Sequence, residues 1–238
     1  HEVIIDQSMA FDFLPGLIYH QDEPLADPVC LPLYFVSKLA RDNGTIVVQV
    51  GEGSDEQFAG YQSMLRELRF YKTVWKAYRG LPRLAKSAIY KTAEAYLKMT
   101  QGYLALDYIR KGLEGEELFW GGAVNFTEAH KRRLIDGKQR VDDPLPQFLA
   151  KRWHDEILHR DPSADYLKRM IYLEFKSRLP ELLLMRVDKV SMATSIEARV
   201  PFLDHRMVEY SMTIPQKFKI KNGETKYILK KAVEGIVP

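Results

Sequence analysis

Thr45-Ile46-Val47-Val48-Gln49-Val50 is a nearly continuous β-branched run that stops at Gly51-Glu52-Gly53. A run of that kind predicts a strand buried in a parallel sheet, with a helix starting near Asp55 behind it. Upstream, Glu2 to Asp6 (EVIID) reads as a second short strand. Ser8 is placed to N-cap a helix through Phe11, Leu14, Leu17 and Ile18, which Pro15 would kink or delay. Three prolines and three acids between Asp22 and Pro32 predict a loop, and Leu33 to Ala40 returns to helical periodicity. Strand and helix in alternation indicate an α/β layer.

Beyond Tyr61 strand signals almost vanish. Helical patterns run through 63–79, 82–99, 102–112, 127–136, 145–159 and 163–196, broken at Gly80-Leu81-Pro82 and at Asp142-Asp143-Pro144. The expected fold is therefore an α/β start, residues 1–62, holding part of a parallel sheet. A mostly helical region, 63–238, follows and packs with it as one unit.

Composition removes several classes. With 46% apolar and 28% charged residues the 238-residue chain has the balance of a globular protein. The single cysteine, Cys30, excludes an internal disulfide framework and a cysteine-based zinc site. No apolar run approaches the roughly 18 residues that span a bilayer. The net charge of +3 dictates no partner. The chain begins with His1 rather than Met and is expected to be a piece of a longer polypeptide.

Three groups of residues could carry chemistry. Glu52, Asp55 and Glu56 follow the carboxyl end of a strand, where open α/β sheets bind ligands. Packed together they call for a nearby cation. Asp55 and Glu56 could equally serve only the helix N-terminus, which leaves Glu52, between two glycines, unexplained. From Arg186 to His205 seven charged or titratable residues interrupt an apolar segment, as a structural ion-pair network or as a site. Lys226 is expected in the first turn of a helix capped by Thr225. There it opposes the helix dipole unless a phosphate binds; otherwise it is a solvated lysine.

The stretches EGSDEQFAGY from Glu52, RVDKVSMATSIEARVPFLDHRMVEYS from Arg186 and GETKYILKKAVEGIVP from Gly223, with DEPLADP from Asp22, resemble the synthetase domain of glutamine-dependent asparagine synthetases. The resemblance implies an ATP-pyrophosphatase fold of the adenine-nucleotide α-hydrolase type. It implies adenylation of the aspartate side-chain carboxylate with ATP and Mg²⁺, and attack of ammonia on β-aspartyl-AMP to give asparagine, AMP and pyrophosphate. It also implies a glutaminase domain in the parent chain and a cytoplasmic location.

Position by position, Val50 and Gly51 match the pair that touches the nucleotide. Glu52 matches the glutamate tied to intermediate formation and ammonia deprotonation, and Asp55 a carboxylate near Mg²⁺–pyrophosphate. Arg186 matches a substrate-side arginine, and Lys226 the lysine that contacts phosphates. The family often has Ser at the position of Val50. The pyrophosphate loop SGGxDS does not occur in the sequence and is expected before His1, so the chain alone is expected to be inactive. Family members that amidate another carboxylate, and a non-catalytic scaffold, are the alternatives. No nucleic-acid partner and no transmembrane segment are expected, and homodimerisation is left open.

One pattern is left over. Arg66, Arg69, Lys72, Lys76, Arg79, Arg83 and Lys86 recur at steps of three and four beside Leu65, Leu68, Trp75 and Tyr78. Residues 63–112 hold eleven Lys or Arg against three Asp or Glu, a local net charge of +8. The cationic side is either a solvated face whose stems cover apolar surface or a surface for an anionic partner.

Overall fold

The computed structural model describes residues 1–23, 25–122, 126, 127, 130, 134 and 145–237. Helix α1, Gln7–Gln21, and helix α2, Cys30–Asp42, precede strand β1, Val47–Gln49, and the short helix α3, Ser54–Phe58. Helix α4, Gln62–Phe70, continues through a π-helical stretch, Tyr71–Trp75, into α5, Lys76–Arg79. Then come α6, Arg83–Met99; α7, Tyr103–Glu114; α8, Leu145–Arg160; and α9, Tyr166–Lys176. A second π-helical stretch, Leu179–Leu184, leads into α10, Met185–Met192, strand β2, Glu197–Arg199, and a 3₁₀ turn, Pro201–Leu203. Helices α11, His205–Thr213, α12, Gln216–Lys219, and α13, Tyr227–Val233, complete the chain. Two compact units form: His1–Gln57 with Leu179–Thr213, and Phe58–Arg178 with Ile214–Pro238.

The first unit is organised on a two-stranded parallel sheet in which Val47, Val48 and Gln49 face Glu197, Ala198 and Arg199. Strand β2 was not expected from Glu-Ala-Arg, which has no strand signature; its extended state comes from pairing with β1. The expected strand at Glu2–Asp6 is irregular. Asp6, not Ser8, caps α1: its carboxylate accepts the Met9 N–H and the Ser8 hydroxyl. Helix α1 runs through Pro15 rather than starting after it.

Helix α2 begins at Cys30, so Pro32 lies in a first turn whose N–H groups have no helical partner anyway. The core of this unit is Leu17, Cys30 and Val190, with Phe13, Leu25, Leu31, Leu33 and Tyr34 packed on it. The Phe13 and Tyr34 rings stack at 3.6 Å. Strand β1 is less buried than its composition predicts: Ile46 is 61% and Val47 40% exposed.

In the second unit the helical expectations at 63–79, 82–99, 102–112 and 145–159 correspond to α4–α5, α6, α7 and α8. The expected helix at 127–136 lies largely outside the described residues. The single pattern at 163–196 is split. Ser177 leaves helical geometry (φ −130°, ψ −84°), and Pro180, which has no N–H to donate, falls in the π-helical stretch that follows.

Helices α4 and α5 bury Met64, Leu65, Leu68 and Trp75 and leave Arg66, Arg69, Lys72, Lys76 and Arg79 exposed. Helix α7 crosses this pair at Gly112, where a Cβ would stand 2.3 Å from Tyr78. A cleft of about 190 Å³ lined by Tyr61, Glu67, Tyr108 and Trp120 holds two acid–base pairs. Lys111 Nζ is 3.1 Å from Asp107 and 3.6 Å from the Trp120 ring centre, and burial pushes its pKa down. Glu174 accepts from the Gly122 N–H and from Arg178.

Candidate active site

The turn after β1 divides its two glycines into different roles. Gly53 has φ +89°, and a Cβ there would come within 2.3 Å of Leu203. That position is glycine because of the turn and the close packing. Gly51 has nothing within 4 Å of where a Cβ would stand. Its open side is where a ligand can reach the backbone. The Val50 N–H already donates to the Arg199 C=O at 2.9 Å, which leaves the Val50 carbonyl and side chain for other contacts. Asp55 and Glu56 fall in the first turn of α3, Glu56 is 1% exposed, and Gln57 donates to the Phe202 C=O at 2.5 Å.

Glu52 projects from this turn onto Arg186. Arg186 Nη2 donates to Glu52 Oε1 at 2.9 Å, and Nη1 donates to Asp27 Oδ2 at 2.5 Å. Arg186 is 7% exposed, held by α10 with Val187 and Val190 buried beside it. Burial pushes the guanidinium pKa down, but the hydrogen bonds and charges of Asp27 and Glu52 outweigh it, and the net shift is upward. One buried cation thus serves two carboxylates. Its Nε is buried with no hydrogen-bond partner among the described residues. Cys30 lies close by, its thiol pKa raised first by burial and then by the Asp27 charge.

The structure therefore brings Glu52 and Arg186 together and adds Asp27, from the acidic segment between α1 and α2. The rest of the Arg186–His205 group is not a buried network. Asp188, Glu197, Arg199 and His205 are exposed. Arg199 pairs locally with Glu197 at 2.7 Å, and Arg206 with Asp204 at 2.9 Å.

Lys226 belongs to the second unit. It is the N-cap of α13 in left-handed geometry (φ 54°), not a residue of its first turn, and no side chain caps that helix. Its N–H donates to the Phe58 C=O at 3.1 Å. A left-handed non-glycine residue is strained and persists only where its surroundings hold it.

No group of three or more His, Cys, Asp or Glu is placed to cage a metal ion among the described residues. Mg²⁺ ordinarily takes one or two carboxylates and completes its shell with phosphate oxygens and water. A single half-buried carboxylate such as Asp55 fits that need.

The family model described as asparagine synthase matches residues 1–238. The chain is 32% identical over 234 residues to asparagine synthetase [glutamine-hydrolyzing] 1 of Bacillus subtilis, covering 94% of this chain and 33% of that protein. It is 31% identical over 225 residues to a putative asparagine synthetase of Mycobacterium tuberculosis, covering 94% and 32%. It is 26% identical over 260 residues to the amidase chyE of Penicillium rubens, covering 100% and 37%. The chain thus spans about a third of the length of these relatives. No solved structure matches it. A family match over every residue, with relatives above 30% identity along nearly all of the chain, makes it a member of the asparagine synthase family.

Proposed function

We propose that this chain carries part of the synthetase site of an ATP-dependent amide-forming enzyme whose acceptor is the side-chain carboxylate of aspartate. The observation that carries the reading is the buried Arg186 shared by Glu52 and Asp27 at the end of β1.

In the proposed reaction a carboxylate oxygen of aspartate attacks the α-phosphorus of ATP. The bond to the bridging oxygen breaks, and pyrophosphate leaves. Ammonia derived from glutamine then attacks the acyl carbon of β-aspartyl-AMP, AMP departs with the electrons of the broken C–O bond, and a proton leaves the nitrogen.

Arg186 orients the substrate, whose carboxylate takes one of the two places the guanidinium now gives to Asp27 and Glu52. Glu52, on a Gly-Glu-Gly turn, is the acceptor for the proton of the attacking amine. Gly51 and Val50 lie against the nucleotide, and Lys226 has the phosphate contact that the family resemblance implies. Asp55 would hold Mg²⁺, which supplies charge neutralisation for the phosphates.

The reading places the reaction in the cytoplasm, in a polypeptide of the relatives' length with a glutaminase domain as ammonia source. This chain alone is read as inactive. The test is pyrophosphate release by that longer polypeptide with ATP, glutamine and a series of acids. Release that requires aspartate supports the reading. Release that ignores aspartate and follows a different acid assigns the chain to another amide-forming member of the family.

A further inference from the structure

Helix α6 has no buried residue along its whole length, and α7 is its main packing partner. Leu84, Ala88, Ala95 and Met99 recur at steps of four and seven, so they share one face. That face points to solvent: Leu84 is 86% and Met99 77% exposed, with Tyr96 at 62% beside them. Ala88 and Ala95 are exposed as well, as are Lys91 and Lys98 along one margin. Val74 and Leu81, on the segment leading into the helix, are also exposed. Residues 69–99 carry eight Lys or Arg and one acid, Glu94, which Lys98 neutralises at 2.8 Å. A solvated amphipathic helix turns its apolar side inward; α6 keeps a large part of its apolar side outside.

We propose that the outer face of α6 is a docking surface for an anionic lipid bilayer. The apolar ridge of Leu84, Met99 and Tyr96 enters the boundary between headgroups and acyl chains, and the lysines reach lipid phosphates on long stems. The cations of α4 and α5 enlarge the electrostatic attraction. A nucleic acid matches the charge but gives Leu84, Ala88 and Met99 nothing to bury against. No helix among the described residues is long and apolar enough to cross a membrane, so the association is with the surface only. It is independent of the active-site reading.

The experiment is co-sedimentation of this chain with vesicles of phosphatidylglycerol and phosphatidylcholine, or of phosphatidylcholine alone. Binding is expected to be at least about tenfold tighter to the anionic vesicles and to weaken as salt rises. The double substitution Leu84→Glu with Met99→Glu, at exposed positions that do not support the core, should reduce that binding by roughly tenfold or more with an unchanged circular dichroism spectrum. Absence of binding at low salt, equal binding to the neutral vesicles, or full binding by the double variant overturns the proposal. Retention on RNA or heparin together with failure to bind vesicles assigns the surface to a polyanion and overturns it equally.

Discussion

Replacing Arg186 with Met should destabilise the chain far more than replacing Glu52 with Gln. The guanidinium side chain is 8% exposed, Asp27 18% and Glu52 23%. Methionine keeps the apolar stem but removes the one cation that two carboxylates share, leaving two like charges facing each other across its place. Removing one partner of a buried ion pair costs about 3–5 kcal/mol. Both acids can recover some hydration, which puts the expected loss near the low end, about 3 kcal/mol. Glu52→Gln keeps an oxygen that accepts from Nη2, leaves the Arg186–Asp27 pair intact and removes a repulsion, so its effect should stay below about 1 kcal/mol. Adding Asp27→Asn to Arg186→Met should restore about 1 kcal/mol or more, because it removes an uncompensated charge. Urea unfolding followed by circular dichroism, with unchanged slopes, reads all of these values. Arg186→Met within about 1 kcal/mol of the wild type, or Glu52→Gln equally damaging, would refute the reasoning.

Other outcomes follow from the same structure. Gly53→Ala should cost about 1–2 kcal/mol or more, since it strains a positive φ and meets Leu203, whereas Gly51→Ala should unfold like the wild type and affect only nucleotide binding; calorimetry separates them. Lys219 is 3% exposed, and burial pushes its pKa down to about 8. The folded state therefore resists a proton that the unfolded chain holds up to about pH 10.4, so stability should rise with pH between those values. Lys219→Met should stabilise the chain by about 2–3 kcal/mol at pH 7 and lose that advantage above about pH 10.5, as read by urea titrations at several pH values. Reversing Arg69, Lys76 and Arg83 to Glu should leave the thermal midpoint within a few degrees, because these charges are exposed, while weakening binding to anionic vesicles; a large fall in the midpoint would mean that they are paired inside.

Local signals carried much of this architecture. The β-branched run before Gly51 marked β1, and Gly80-Leu81-Pro82 marked the gap between α5 and α6. What failed depended on partners distant in sequence. Glu2–Asp6 has strand composition but no strand to pair with among the described residues, while Glu197–Arg199 lacks the composition and becomes a strand by pairing with β1. Glu52 and Arg186 stood out, but the contact between them spans 134 residues. Asp27, 159 residues from Arg186, looked no different from Asp22 and Glu23. Charge periodicity also drew attention to the cations of α4 and α5, whereas the apolar outer face of α6 becomes visible only through exposure.

The central claim is that Glu52 acts in amide formation and is not a determinant of the fold. The most direct measurement is amide product and pyrophosphate together, from ATP, glutamine and aspartate, in a polypeptide of the relatives' length with and without Glu52→Gln. A normally folded variant should lose amide formation by roughly 10²–10⁴-fold, the scale of a positioned general base. Pyrophosphate release that persists would identify Glu52 as the acceptor of the amine proton, and release that falls in step would place it in adenylation. Amide formation near the wild-type rate in the folded variant would contradict the account and leave Glu52 as part of a structural ion cluster.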